Sequence, residues 1–394
     1  MTQPKAPNLL QEAGLPIVYP ASEDVLDAPG SNGFAIALRS AVRSLSVMQK
    51  EAIVARNGAT RTWRLASDEG PYLQGHDFAP APLAFLSTGL AVDLLASVER
   101  SLATAGRRGE AVRLVLDSRY TMEGSLARGT MVGGARPPEI TVYMPDATSD
   151  TTGLVLTGVM ASATAGIVGT PLKSTFTLTS HGHQIDVGTV AADSEPPPSL
   201  QDRPERFPQP GSTPPEPIVS KTWDVGSDTA DAGSSLAPEQ RRELHLQAQA
   251  HRRLDDLVVV DVTVHRPRGS TFRFLADEPT DGKAVGNRAP DALTYVSAGI
   301  GFCFMTQIGR YAKILQRSLG DYHVSQDTRF SYGDPRANPP EAPRADVPRT
   351  HVFLAPDDES FATHALDMSE QTCFIHAMCR TELRPRVKTL ALRD

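Results

Sequence analysis

The strongest constraint on this chain is that it matches itself. RLASDEGPYLQGHDFAPAPLAFLSTGLAVDLL (64–95) can be set beside RFLADEPTDGKAVGNRAPDALTYVSAGIGFCF (273–304). An offset of 290 − 80 = 210 pairs Pro80 with Pro290, Leu83 with Leu293, Ser87 with Ser297 and Gly89 with Gly299. The same offset goes on to pair Arg100 with Arg310, Asp117 with Asp327 and Arg119 with Arg329. With a one-residue slip upstream, Arg64 meets Arg273 and Asp68-Glu69 meets Asp277-Glu278. One offset kept over about forty residues reads as an internal duplication. Such a chain folds as two copies of one unit.

The proline-rich stretch SEPPPSLQDRPERFPQPGSTPPEP (194–217) blocks helix and central strand, and DVGSDTADAGSS (224–235) is small and polar. The expected division is an N-terminal extension (1–29), a first domain (30–193), a linker (194–236) and a second domain (237–394). Each half shows the same order. Strand-like alternation, as in 60–67 and 257–265, leads through a polar loop to a long apolar helix starting near Pro82 or Asp291. Alternating segments follow at 112–120, 140–144 and 350–355, then second helices at roughly 153–168 and 358–379, then closing strands at 174–180 and 385–392. APEQRRELHLQAQAHRRL (237–254) reads as a helix, with proline near its start and good helix formers after it. The fold class is α+β, with antiparallel sheets packed on long helices.

Composition narrows function by exclusion. The formal net charge of −7 over 394 residues argues against nucleic acid and anionic membrane as partners. The apolar run 81–98 is interrupted by Asp93 and reads as a core helix, not a membrane span. No signal peptide pattern opens the chain, and a cytoplasmic location is expected. Three cysteines, Cys303, Cys373 and Cys379, are no secreted disulfide framework. No phosphate-cradling loop or dinucleotide fingerprint is present, so no nucleotide cofactor is expected. Cys373, His376 and Cys379 spread too widely around a helix for a zinc site, and His181 and His183 read as loop polarity.

The second half resembles the OsmC/Ohr family of osmotically inducible and organic-hydroperoxide-resistance proteins. The resemblance rests on DEP (277–279), on the helix ALTYVSAGIGFCFMTQIGRYA (292–312) with its cysteine, and on ATHALDMSEQTCFIHA (362–377) with a second cysteine. The first half keeps the frame in SDEGP (67–71) and PLAFLSTGLAVD (82–93), without the cysteines. The resemblance implies two tandem OsmC-like domains forming an intrachain pseudo-dimer. It also implies a peroxidatic thiol at Cys303, a resolving thiol at Cys373 and sites at the interface between units. Asp93 is the first-half counterpart of Cys303, and Ala165 that of Cys373 by a looser alignment. Family members activate the thiol with an arginine held by a glutamate. Arg268 is the expected arginine, Arg266 and Arg273 its alternatives, and Asp291 stands in for the glutamate, whose position here is Leu293.

Taken alone, Cys303 reads as a small buried core residue. The resemblance turns it into a nucleophile, which must be a reachable thiolate with a recycling partner. Asp93, in an apolar helix, is either paired with an arginine such as Arg64 or open to a pocket. The expected function is thiol-dependent reduction of a small organic hydroperoxide or other small apolar substrate. An external dithiol serves as reductant and no bound cofactor is needed. The alternatives are a hydrolase or lyase acting on a small carbonyl compound through Cys303 or Asp93, and a binding protein without catalysis.

Overall fold

The computed structural model describes residues 7–22, 25–46, 48–195, 207–212, 214–226, 236–280 and 286–392. In chain order the first half forms α1 (Leu9–Ala13), β1 (Val18–Pro20), β2 (Ile36–Ser46), β3 (Gln49–Arg56) and β4 (Trp63–Ser67). It continues with α2 (Pro82–Thr104), β5 (Arg113–Ser125), β6 (Val132–Ala135), β7 (Glu139–Met144), α3 (Ser149–Ala161), α4 (Ala165–Gly169) and β8 (Thr175–Ser180). Two short strands, β9 (His183–Ile185) and β10 (Ala191–Ala192), end it. The second half opens with β11 (Val219–Trp223), β12 (Glu239–Arg252), β13 (Val258–Arg266) and β14 (Thr271–Ala276). After these come α5 (Ala292–Leu315), β15 (His323–Ser331), β16 (Arg344–Ala345), β17 (Arg349–Leu354), α6 (Glu359–Thr372), α7 (Phe374–Cys379) and β18 (Arg386–Ala391).

The strands form two sheets, and each sheet draws on both halves. One runs β1-β4-β3-β2-β15-β17-β8-β10; the other runs β11-β14-β13-β12-β5-β7-β18. The seams between halves are antiparallel. One runs from Ile36 opposite Phe330 to Arg43 opposite His323, the other from Glu239 opposite Ser125 to His251 opposite Arg113. Towards its far edge each sheet turns to parallel pairing, β17 with β8 and β8 with β10 in one and β7 with β18 in the other. The molecule is mixed α+β, and its halves are interleaved.

Helices α2 and α5 pack against each other, α2 also against the sheet of β5, β12 and β13 and α5 against the sheet of β2, β3 and β15, which explains why both are so apolar. Both are long and apolar enough to cross a membrane by length and composition, yet 94% of each apolar window is covered by the protein itself. Proline opens α2 at a position where its missing N–H is harmless. Asp291 caps α5 by accepting from the Leu293 and Thr294 amides. The crossing needs glycine on both helices. A Cβ on Gly89 would stand 2.5 Å from the Ala292 carbonyl oxygen, and one on Gly299 would stand 2.8 Å from the Leu86 amide nitrogen. One hydrophobic core runs through both halves.

Three expectations are corrected. Residues 237–254 are not a helix but contain the strand β12. Leu244, Leu246, Ala248 and Ala250 face inward at every second position, and this period outweighs the helix propensity of Glu, Gln and Ala. The second helices are broken: α3 gives way to α4, and α6 ends at Cys373, whose backbone is extended, before α7 starts. The boundaries at 30 and 237 each cut off an edge strand. β1 pairs with β4, and β11, from inside the expected linker, pairs with β14. The linker is also docked near Pro208, whose carbonyl accepts from the Tyr19 hydroxyl at 2.6 Å. Its residues 196–206, 213 and 227–235 lie outside the described residues, as do 281–285 in the glycine-containing loop after 277–279.

Candidate functional site

Cys303 lies in the fourth turn of α5, and Cys373 is the capping residue of α7. Their sulfurs are 3.5 Å apart, with Cys373 donating to Cys303, and both side chains are buried and unbridged. Burial pushes the Cys303 thiol well above its ordinary range, and Cys373 and the Glu69 charge push the same way. A backbone hydrogen bond from Ile375 works in the opposite direction.

Two charged groups beside the thiols, Lys50 and Glu69, come from the first half. Lys50 on β3 is 2% exposed; its ammonium donates to the Met48 carbonyl at 2.7 Å and stands 3.6 Å from Glu69. Glu69, just past β4, accepts from the Thr306 hydroxyl at 2.8 Å and from the Tyr72 hydroxyl at 3.0 Å. Thr306 is one turn beyond Cys303 on α5, so Glu69 is tied to the cysteine's own helix. Burial raises Glu69 and lowers Lys50, each partly offset by the other. The Cys303 charge also favours protonated Lys50, which places the two within electrostatic reach.

A pocket opens beside Cys303, a space of about 490 Å³ counted together with the solvent at its mouth. Leu73, Pro82, Leu83, Met122, Leu244 and Phe374 make most of its wall apolar. Glu69, Tyr72, Gln240, Arg242, Gln307 and Arg310 supply its polar groups. The lining draws on both halves.

The other expected residues fall elsewhere. Arg268 stacks over the Trp223 ring at 5.2 Å and lines a neighbouring pocket with Tyr72 and Asp77, not the Cys303 pocket. Arg273 pairs with Asp261 at 2.8 Å on an exposed sheet face. Asp291 is occupied as the cap of α5 and stands 3.2 Å from Arg56. It is twelve residues from Cys303, about 18 Å along a helix, so it holds no cation on that thiol. Arg64 is paired with Glu51 at 3.1 Å, under the Tyr19 ring, and not with Asp93.

Asp93 is fully buried in α2. Its Oδ2 accepts from the Thr164 amide at 2.8 Å and hydroxyl at 2.7 Å, and burial raises its carboxyl. Thr164 directly precedes α4 as Cys373 directly precedes α7, and Ala165 is the first residue of α4. Glu278 matches Glu69 here and accepts from the Tyr332 hydroxyl at 3.3 Å, while Arg100 stacks on the Tyr332 ring at 4.7 Å. Burial, with Asp291 and Asp93 nearby, pushes Glu278 up to about 7. His376 packs between Phe304 and Phe176, and burial holds it at about 3. Among the described residues no group of three metal-binding side chains is placed to hold a metal ion.

Sequence reasoning missed Lys50, Tyr72, Arg242 and the use of Glu69. Glu69 had a signal, since it pairs with Glu278 in the internal match. Lys50 had none, because its approach to α5 depends on how the strand sits in the sheet.

No family model matches the chain, and no curated protein matches it. Among solved structures, the crystal structure of an OsmC-like hydroperoxide resistance protein from Jannaschia sp. CCS1 is similar over 30% of this chain and 75% of that one. The identity is 24% and the TM-score 0.19, a superposition too partial to carry fold or activity from one protein to the other.

Proposed function

We propose that this chain is a cysteine-based peroxidase of the OsmC/Ohr type. In this reading two tandem OsmC-like units pair within one chain, and only one of the two equivalent positions keeps its thiols. The observation that supports it most is the 3.5 Å separation of the Cys303 and Cys373 sulfurs beside a largely apolar pocket. The single offset of 210 and the interleaved sheets support the tandem arrangement.

The cycle starts with a protonated thiol. Cys303 passes its proton to the Glu69 carboxylate, and the Lys50 ammonium stabilises the thiolate that remains. The thiolate attacks the peroxide oxygen remote from carbon. The O–O bond breaks, and the departing alkoxide takes the proton from Glu69 and leaves as an alcohol. Cys303 is then a sulfenic acid. The Cys373 sulfur displaces its hydroxyl, which leaves as water with the Cys373 proton, and a disulfide forms. An external dithiol restores both thiols by exchange. The cycle uses no bound cofactor and suits a reducing, cytoplasmic setting. Asp93 and Thr164 cannot form a sulfenate or a disulfide, so the first half serves the reaction by supplying Lys50, Glu69 and Tyr72 to the other site.

The test is to follow consumption of cumene hydroperoxide in the presence of excess dithiol. The wild-type chain consumes it, and Cys303→Ser falls to the uncatalysed background. Thiols that stay unreactive towards organic hydroperoxides would overturn the reading. They would leave the carbonyl-directed enzyme or the binding protein in its place.

A further inference from the structure

The match between the halves keeps its offset but changes its chemistry at one turn. Between the pairs Arg100–Arg310 and Asp117–Asp327, the offset of 210 sets Arg107-Arg108-Gly109 beside Arg317-Ser318-Leu319 and Val112-Arg113 beside Tyr322-His323. In the second half this turn is packed shut: Leu319 is buried in the core and Tyr322 packs against it. In the first half the smaller Gly109 and Val112 stand at those positions and line a cleft. The cleft lies between the end of α2, the start of β5 and the turn from β12 to β13. It measures about 1520 Å³ counted with the solvent at its mouth, against about 490 Å³ beside Cys303 on the same count. Ala103 lines this cleft and Pro82 the Cys303 pocket; they are 103 − 82 = 21 residues apart on α2, or about 32 Å.

The arginines around the cleft divide into two sets. Arg107 is met by Glu110 and by Asp146 at 3.1 Å, Arg252 by Glu99 at 2.6 Å, and Arg253 by Glu216 and Asp255 at 3.0 Å. Of the lining carboxylates, Glu99 and Glu110 are thus taken up, and Asp256 makes a contact within the protein. Arg108, Arg113 and His251 also line the cleft and are exposed, and among the described residues none of them is paired with a carboxylate. Arg113 lies over the Tyr143 ring at 4.4 Å and stands opposite His251 across the seam between β5 and β12. The wall behind these cations is aliphatic: Leu102, Val112 and Leu392, with Leu254 fully exposed at the rim. Among the described residues no phenyl, phenol or indole ring lines the cleft, so a nucleobase has none of these to stack on.

We propose that this cleft binds a phosphate monoester with an aliphatic body. Two arginine forks and an imidazole, with no carboxylate to neutralise them, suit a dianion with three terminal oxygens better than a carboxylate with two. The phosphoryl group sits at Arg108, Arg113 and His251, and the carbon chain lies on Leu102, Val112 and Leu254. The net charge of −7 opposes approach to an anionic bilayer, so the ligand is a soluble ester and not a lipid headgroup. The site takes no part in the thiol chemistry and does not depend on the peroxidase reading.

The test is isothermal titration calorimetry of hexyl phosphate into the full chain at pH 8, where a phosphate monoester is a dianion. One molecule should bind per chain, and more weakly as ionic strength rises. Hexanoate and hexyl sulfate, monoanions on a similar chain, should bind roughly tenfold or more weakly, as should inorganic phosphate, which lacks the chain. Arg108→Gln and Arg113→Gln should each cost roughly tenfold in affinity without lowering the melting temperature, because neither residue holds an ion pair. Arg242→Gln, in the Cys303 pocket, should leave binding unchanged. The selectivity of the wild-type chain is informative even where a variant fails to fold. No binding of hexyl phosphate, equal affinity for hexanoate or for inorganic phosphate, or binding that survives both cleft variants and is lost in Arg242→Gln would each overturn the proposal. So would capture of the chain by phosphatidylcholine vesicles containing phosphatidate with no binding of the soluble ester.

Discussion

Lys50 and Arg268 show how a site residue hides at the scale of single side chains. Arg268 is in the right stretch of sequence but reaches Trp223. Lys50 is in an unremarked strand, QKEAIVAR, every residue of which except Arg56 is buried. An ammonium is held there only because Glu69 and the Met48 carbonyl face it. No spacing rule reports that, because the facing groups come from the loop after the next strand and from the turn before β3. Removing the cation should raise the apparent pKa of Cys303 further above its ordinary range. Iodoacetamide modification of Cys303 requires the thiolate, so its rate rises with pH and the Lys50→Met profile moves to higher pH. At a fixed pH near 8 the rate should drop about tenfold if the profile moves by about one pH unit. Arg268→Ala should leave the profile where it is. The reverse pattern, with Arg268 governing the profile and Lys50 neutral, would return the activator role to Arg268.

At the scale of elements, the sequence was legible wherever one period dominated. The two long helices, with proline or aspartate at their starts, form where their patterns place them. Failures came where two signals competed. β12 carries strong helix formers, but its alternation of Leu and Ala with polar residues fits a pleated surface beside β5 and β13. α6 and α7 read as one helix because nothing in MSEQTCFIHA breaks helix propensity. The break is tertiary: Gly133 of β6 lies so close that a Cβ there would stand 2.5 Å from the Thr372 carbonyl oxygen. The extended residue Cys373 follows directly on that contact, and its sulfur stands 3.5 Å from that of Cys303. Between α3 and α4 the extended residue is Ser162, and Thr164 directly precedes α4.

At the scale of the whole molecule, each half is incomplete alone. The second half without the first would expose the β12 edge that now pairs with β5 from Glu239 to His251, together with the α5 face packed on α2. It would also lack Lys50 and Glu69. Fragments 1–195 and 214–394, which retain the edge strands β1 and β11, should therefore depend on each other. By light scattering, 214–394 alone should aggregate or self-associate with little peroxidase activity, and adding 1–195 should restore a one-to-one complex and activity. A stable, fully active monomer of 214–394 would contradict the joint site. The match between the halves was visible in the sequence as one repeated offset, but the exchange of strands between sheets was not, because either half could have closed on itself with the same pattern. The account as a whole turns on two thiols seventy residues apart acting as a pair. The most direct measurement is peptide mapping of the reduced full-length chain after one equivalent of cumene hydroperoxide. The account predicts a Cys303–Cys373 disulfide with Cys379 still free. A Cys373–Cys379 link, sulfinic acid at Cys303 without a disulfide, or three unmodified thiols would contradict it.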